Sequence, residues 1–158
     1  MSVQLNHEDY MQLALKQAEL ATDLNEVPVG AVLVSEDGQI FSAHNAPISK
    51  DDATAHAEIE VIRLASKALG NYRLINSTLY VTLEPCLMCS GAIIHARIGH
   101  VVYGATDEKT GAVSSLYQTL SDSRLNHQPQ ITSGILAELC TQTLKEFFKQ
   151  RRASKKNA

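Results

Sequence analysis

The sequence has little of what several protein classes require. Its three cysteines are too few for the disulfide framework of a small secreted domain, and the isolated Cys140 is expected to fill the core. No run of about 18 apolar residues is long enough to span a bilayer, and Met1-Ser2-Val3-Gln4 lacks the features of a secretory signal. Internal repeats, low-complexity blocks and linkers are also absent. We therefore expect a soluble, cytoplasmic protein with one domain over residues 1–158.

The composition is that of an ordinary globular domain. Hydrophobic residues make up 44% of the 158 residues, which is enough to enclose a core. The order of predicted elements indicates an α/β fold, a three-layer α/β/α sandwich with a mixed five-stranded sheet. Segments 45–54 and 105–130 are predicted to be loops, the second with a short helix near 115–120. The predicted helices are 7–25, 55–69, 86–97 and 135–152, and the predicted strands are 29–34, 39–44, 78–83, 98–103 and 130–132.

The net charge of −3 is distributed unevenly along the chain. Segment 145–158 has six basic residues against Glu146, a local charge of +5, so the other 144 residues carry −8. A basic segment on an acidic body is typical of an arm that binds a polyanion. A solvated helix end with a frayed tail gives the same pattern, and charge alone favours this second interpretation.

His56, Cys86 and Cys89 are candidate metal ligands. The two cysteines are three residues apart, which places their side chains on one face of a helix. They lie at a predicted helix start, where the thiol pKa is lowered and the thiolate form that metals bind is favoured. His56 is predicted to lie in the first turn of its own helix. Three protein ligands leave the fourth tetrahedral position of a zinc ion for water, as in catalytic sites. Two thiolates and a neutral imidazole also balance the charge of Zn²⁺, whose bound water would ionise near neutral pH.

Glu58 is the predicted catalytic proton carrier. It is two residues from His56, so both side chains can reach one pocket only if they lie in the exposed first turn of the helix. As a general base, Glu58 would take a proton from the water. It would then protonate a ring nitrogen beside the attacked carbon and assist the departure of ammonia.

Each half of this motif also occurs in other settings. His-x-Glu is common on ordinary helix surfaces, and Cys-x-x-Cys is found in redox pairs and in structural zinc sites. His56-Ala57-Glu58 followed by Pro85-Cys86-Leu87-Met88-Cys89 is, however, the pattern of zinc-dependent nucleobase deaminases. The combination predicts the reaction class, which is hydrolytic removal of an amino group from a base.

Further segments narrow the class of base. The most telling are Lys109-Thr110-Gly111-Ala112, Asn126-His127, and Phe147-Phe148-Lys149 with Arg151-Arg152. The others are 26–32, 54–58, 71–74, 78–86 and 102–105. Through these segments the chain resembles the bacterial tRNA-specific adenosine deaminases, which convert the wobble adenosine of an anticodon to inosine. The resemblance extends from about residue 8 to residue 152. It implies a cytidine-deaminase-like fold, one zinc ion per subunit, no organic cofactor, and a homodimer with the site near the subunit interface.

The same resemblance implies residues that bind the tRNA anticodon stem-loop. Asn45 would hydrogen-bond the flipped-out base or its ribose, and Val29 would line the base pocket. Asp107 would contact the sugar of the target nucleotide, and Lys109 would contact nearby phosphates.

The last helix supplies the remaining implied contacts. Phe148 and Arg152 would lie where the anticodon loop is splayed, whereas Phe147 is expected to pack within the protein. The basic C-terminal segment then has a purpose, because single-stranded loops bind to cationic grooves with aromatic platforms.

Three alternatives remain open. A deaminase of a free base or nucleoside, of the guanine or cytosine type, would share the chemistry, but such a substrate has no phosphates for the basic helix to neutralise. A zinc-stabilised RNA-binding module without turnover would not need Glu58 or an open coordination position. A dithiol redox protein would form a Cys86–Cys89 disulfide and bind no metal.

Overall fold

Helices and strands follow one another along the chain in the predicted order. The computed structural model describes residues 4–156. The helices are α1 (His7–Asp23), α2 (Pro47–Lys50), α3 (Ala57–Leu69), α4 (Leu87–Ala96) and α5 (Ala137–Lys156), and the strands are β1 (Gly30–Val34), β2 (Ile40–His44), β3 (Thr78–Leu83), β4 (His100–Ala105) and β5 (Gln130–Thr132).

The five strands form one mixed sheet in the order β2-β1-β3-β4-β5, which confirms the predicted fold class. Strand β1 is antiparallel to β2 and β3, whereas β3, β4 and β5 are parallel. The carboxyl ends of β2, β3 and β4 therefore lie beside the amino end of β1. The residues next to these strand ends are Val29, Asn45, Glu84 and Thr106, and we call this end of the sheet the site edge.

Alternate residues of each strand pack into two separate cores, because side chains along a strand point to opposite faces. On one face, Val81 belongs to a cluster with residues of α3 and α4. On the other face, Tyr80 belongs to a cluster with Met11 of α1 and Cys140 of α5. Helices thus cover both faces, as the three-layer prediction requires. Cys140 is 1% exposed, which confirms its predicted place in the core.

Helix ends follow the local capping signals. Helix α1 begins after Asn6, whose side chain accepts the Asp9 amide while the Asp9 carboxylate accepts the Asn6 amide, at 2.9 and 3.0 Å. Helix α3 ends at Gly70, which has a φ of 64°. The last helix continues to Lys156, beyond its predicted end at residue 152. Among residues 4–156, no helix is both long enough and apolar enough to cross a membrane.

Two predicted loop assignments need correction. Segment 45–54 contains the one-turn helix α2, whose Ile48 and Ser49 amides donate to the buried Glu26 carboxylate at 3.1 and 2.6 Å. A residue far upstream thus caps a helix that the local sequence does not predict. The predicted short helix near 115–120 is instead a three-residue 3₁₀ turn, Thr119–Ser121. The Ser115 amide, just before this turn, donates to another carboxylate, that of Glu84, at 3.0 Å.

Candidate active site

The starts of two helices bring the three candidate ligands together. His56 and Cys86 are the N-cap residues of α3 and α4, with extended backbones, and Cys89 lies in the first turn of α4. The predicted helix start at Cys86 and Cys89 is confirmed, whereas His56, predicted in the first turn, precedes that turn by one position. The His56 and Cys86 carbonyls accept the Glu60 and Ser90 amides at 2.9 and 2.8 Å, so both residues already belong to the hydrogen-bond ladders. An N-cap side chain is free to turn away from its helix and toward the other helix start.

The ligand atoms fit a zinc ion. The Nδ1 atom of His56 lies 3.6 Å from the Cys86 Sγ and 3.5 Å from the Cys89 Sγ. A tetrahedral zinc ion with ordinary Zn–S and Zn–N bonds holds such atoms about 3.6 Å apart. Within the described part of the chain, this is the one group of three such side chains with all ligand atoms within 4.8 Å of one another. The donor set and spacing are those of a zinc site with an open fourth position.

The two thiols differ in acidity. A hydrogen bond from the Cys89 thiol lowers the pKa of Cys86 to about 4, and the His56 ring contributes further. The same hydrogen bond is the main cause that raises the pKa of Cys89, and burial of the thiol is the second cause. Cys86 is therefore readily available as a thiolate, while Cys89 must release its proton when a metal binds.

Glu58 lies beside this group. It is in the first turn of α3 and 4% exposed, and its carboxyl group lies close to the Cys86 and Cys89 side chains. Burial raises the pKa of Glu58 to about 7, and the nearby Cys86 thiolate adds to the increase. His56 and Glu58 share one pocket because His56 precedes the helix as its cap, so the two side chains need not lie on one helix face.

Sequence reasoning missed a second buried glutamate of the site. Glu84 follows β3, two residues before Cys86, and is 2% exposed. Burial alone would raise the pKa of Glu84. Hydrogen bonds from the Ser114 amide, the Ser115 hydroxyl and other donors outweigh burial and lower this pKa to about 2. A carboxylate directly after an apolar strand and before Pro85-Cys86 is the signal that could have identified it.

Glu84 bonds to the segment 106–115, which we call the latch loop. One carboxylate oxygen accepts the Asp107 amide at 3.0 Å. The other accepts three successive amides, those of Val113, Ser114 and Ser115, at 3.1, 2.9 and 3.0 Å. The Ala112 amide also donates to the Pro85 carbonyl at 2.9 Å, and Gly111 forms a β-bridge with Cys86. The latch loop thus borders the metal-binding segment directly.

The structure places Val29 and Asn45 at the site edge as well. The Asn45 amide donates to the Val29 carbonyl at 3.0 Å, and the next amide, Ala46, donates to the Ala55 carbonyl at 2.9 Å, beside His56. Both Val29 and Asn45 are buried. The edge therefore gathers these two residues near the candidate metal site, as their predicted roles require, but no contact with a base tests those roles.

The Asp107 carboxylate accepts hydrogen bonds from residues of the latch loop itself. It accepts the amides of Lys109 and Thr110 at 3.1 and 3.2 Å and the Thr110 hydroxyl at 2.7 Å. These bonds shape the tip of the latch loop. Contact between Asp107 and a sugar stays a prediction.

Lys109, Phe148 and Arg152 line one surface groove, although they are far apart in sequence. The groove lies between the latch loop and α5, and we call it the basic groove; its other lining residues are Ala105, Thr106, Thr141, Leu144, Lys145 and Lys149. Phe148 is 40% exposed, whereas Phe147 is buried, as predicted, with the Arg151 guanidinium 5.1 Å from its ring centre. Four cationic side chains and one exposed aromatic ring thus share a surface next to the site edge.

Comparison with known proteins identifies the family of the chain. Residues 5–152 match the family of MafB19-like deaminases. A tRNA-specific adenosine deaminase of Haemophilus influenzae is 51% identical over 150 residues, a match that covers 94% of this chain and 87% of that protein.

Two solved deaminase structures have the same fold as this chain. A tRNA:A34 deaminase, studied for A-to-I editing at the wobble position of transfer RNA, matches with a TM-score of 0.82 and 46% identity over 85% of this chain and 98% of that chain. A guanine deaminase of Nitrosomonas europaea matches with a TM-score of 0.79 at 20% identity, over 92% of this chain and 86% of that chain, and shows the shared fold alone. The match to the family over most of the chain and the 51% identity show that the chain belongs to the tRNA-specific adenosine deaminases.

Proposed function

We propose that this chain hydrolyses the wobble adenosine of a tRNA anticodon to inosine and releases ammonia. The observation that carries the proposal is that the latch loop joins two sites. It bridges to Cys86 of the metal-ligand group, and its Lys109 lines the basic groove. Relatives of the same family at 47–51% identity support the substrate.

His56, Cys86 and Cys89 would hold one zinc ion per subunit, with no organic cofactor. When bound, zinc supplies a Lewis acid that makes a water molecule nucleophilic near neutral pH. The separations of the ligand atoms, 3.5 and 3.6 Å, support this choice of metal.

Glu58 would carry the protons of the reaction. It takes a proton from the attacking water and gives it to N1 of adenine as the water oxygen bonds to C6. The proton of the new C6 hydroxyl then moves through Glu58 to the amino group, the C6–N6 bond breaks as the C6 carbonyl of inosine forms, and ammonia leaves. The burial of Glu58 supports this role, since a carboxyl group with a pKa of about 7 can both accept and donate a proton near neutral pH.

The target nucleotide would be turned out of the anticodon loop and into the site edge, since the reacting atom of a stacked base is inaccessible. Asn45 would hydrogen-bond the base or its ribose, Val29 would line the pocket, and Asp107 would contact the sugar. Their position at one edge of the sheet supports this assignment.

The RNA backbone would follow the basic groove. Lys109 and Arg152 would neutralise phosphates, and Phe148 would stack on an unpaired base. A free base has no phosphates, so a groove with four cationic side chains favours RNA over the guanine- or cytosine-type alternative.

We further propose that one domain spans residues 1–158 and that the enzyme acts on tRNA in the cytoplasm.

We also propose that two copies of the chain form a homodimer whose interface lies near the site. Exposed apolar side chains beside the metal-binding helix support the dimer: Leu87, Leu116 and Tyr117 are each more than half exposed. Their burial by a second copy would remove apolar surface from water. Light scattering after size-exclusion chromatography should give the mass of two chains.

The decisive experiment offers the purified zinc-loaded protein four substrates. They are an anticodon stem-loop with a wobble adenosine, free adenosine, guanine and cytidine, and inosine and ammonia are measured for each. We expect inosine in the RNA and no ammonia from the free compounds. Ammonia from guanine or cytidine alone would support the free-base alternative. RNA binding with zinc but without ammonia would support the non-catalytic module, and a titratable Cys86–Cys89 disulfide without zinc would support a redox protein.

A further inference from the structure

Glu84 carries a negative charge although its side chain is buried. It directly follows β3, is 2% exposed, and belongs to none of the ion pairs found among residues 4–156. A buried carboxylate without such a partner is costly unless hydrogen bonds replace its lost water. Glu84 satisfies this requirement with donors from a single segment, the latch loop.

The donors come from both ends of that loop. The Asp107 amide approaches from its start, and the Val113, Ser114 and Ser115 amides and the Ser115 hydroxyl approach from its end. One carboxylate thereby closes the loop and holds it against the segment that contains Cys86. Hydrogen bonds to a charged acceptor are about twice as strong as neutral ones, so the loop depends on this one side chain.

Gly111 shows how closely the loop and the carboxylate fit. A Cβ atom at this position would overlap the Glu84 carboxylate and lie 2.5 Å from the Asp107 carbonyl oxygen. The backbone of the loop therefore approaches Glu84 to a distance that only glycine permits. This contact occurs where Gly111 bridges Cys86.

We propose that Glu84 is a positioning residue for RNA: it fixes the latch loop, and with it Lys109, at a set distance from the metal-ligand group. The inference rests on the proposed function, since Lys109 is the proposed phosphate contact. Glu84 itself touches no substrate. Loss of its charge would leave the ligands in place but would free the loop, so RNA would bind more weakly while the chemical step continued.

Glu84→Gln tests the proposal, because it keeps the shape but replaces one acceptor oxygen by an N–H donor that faces N–H donors. We expect KM for the anticodon stem-loop to rise about 10-fold and kcat to stay within about threefold, the signature of lost substrate binding. Zinc content should stay at one per chain. Amide hydrogen exchange at Asp107 and Val113–Ser115 should accelerate about 100-fold as the local opening free energy falls.

Asp122→Asn is the matched control. Asp122 is a carboxylate of the same loop-rich region and hydrogen-bonds to Arg124, but not to the metal-binding segment. The same loss of charge there should leave KM, kcat and exchange in the latch loop unchanged.

A double-mutant cycle with Lys109→Ala separates positioning from a general loss of structure. If Glu84 acts through Lys109, the combined rise in KM will be smaller than the product of the two separate rises. Gly111→Ala, which displaces the loop but keeps every donor, should reproduce the KM effect. If Glu84→Gln does not fold, Ser115→Ala removes one donor only and should raise KM about twofold, near the net value of one hydrogen bond.

Three results would overturn the proposal: unchanged exchange in the latch loop, independent effects in the cycle, or a fall in kcat together with loss of zinc. The last would show that Glu84 merely supports the metal site. Failure of the proposed function is distinguishable, because the wild-type protein would then not deaminate the stem-loop although hydrogen exchange and zinc content still report the state of the loop.

Discussion

Glu58 and Glu84 lie within two residues of candidate metal ligands, and both are almost fully shielded from solvent, at 4% and 2% exposure. Burial raises the pKa of Glu58 to about 7. The pKa of Glu84 is lowered to about 2, because its hydrogen bonds outweigh the same effect of burial. The two carboxyl groups thus differ in the hydrogen-bond donors that surround them.

This difference separates two tasks that one site needs. A carboxyl group with few donors can gain and lose a proton near neutral pH, which suits proton transfer. A carboxylate with five donors stays charged and holds the backbone around it. The number of N–H and O–H donors around each carboxyl group therefore distinguishes the two roles.

Replacement by glutamine should affect kcat at Glu58 and KM at Glu84. Of the two variants, Glu58→Gln should have the larger effect on catalysis. General acid–base catalysis contributes about 10²–10⁴-fold, so we expect kcat to fall about 1,000-fold. Zinc content, measured by elemental analysis, should not change, because no ligand is altered. Turnover within tenfold of the wild-type rate would remove Glu58 from its role as proton carrier.

For stability, Glu84→Gln should have the larger effect of the two variants. Glu84→Gln should lower the free energy of unfolding by about 3 kcal/mol, since each hydrogen bond to a charged group contributes about 1.5–3 kcal/mol and several are lost. Glu58→Gln should change it by less than about 1 kcal/mol, because few donors depend on that carboxyl group. Urea titration at fixed free zinc measures both values. Equal losses for the two variants would contradict the distinction between them.

These two residues also show what a sequence can and cannot predict. Glu58 was predicted because it lies in a short motif with His56, and the three ligands were predicted for the same reason: rare residue types at a fixed spacing. The donors of Glu84 are 23 to 31 residues away along the chain. No local pattern reports a loop that folds back to a strand end.

The fold was predictable where periodicity was strong. Strands β3 and β5 have their predicted limits, and α3 ends at its glycine. Two errors lie where one side chain decides a boundary, whereas β4 is displaced by two residues from its predicted limits of 98–103. His56 and Cys86 cap helices that were expected to include them, and α2 depends on Glu26, a residue 22 positions upstream of its first bonded amide.

The basic groove extends the comparison from the two glutamates to binding. Lys149→Gln with Arg152→Gln should weaken stem-loop binding about 10-fold at physiological salt, and should reduce the salt slope by about 1.4, at about 0.7 per lost contact with single-stranded RNA. Like Glu84→Gln, this variant should leave kcat unaltered. Binding measured between low and high salt tests both values.

Lys16→Gln with Lys67→Gln provides a control of equal charge, since both lysines are exposed on α1 and α3 and neither lines the groove. An equal fall in affinity for this pair would show that net charge, and not the groove, attracts the RNA.

The smallest expected effect concerns the neighbouring aromatic residues of α5. Phe148→Ala should weaken stem-loop binding about fivefold, near the lower limit for stacking on a base. It should hardly affect unfolding, since Phe148 is 40% exposed. Phe147→Ala should instead lower the free energy of unfolding by about 3 kcal/mol, because it leaves a cavity. Binding and urea titration of both variants check this assignment. If Phe148→Ala lowered kcat as Glu58→Gln does, the groove would take part in the chemical step, and the separation of binding from proton transfer would fail.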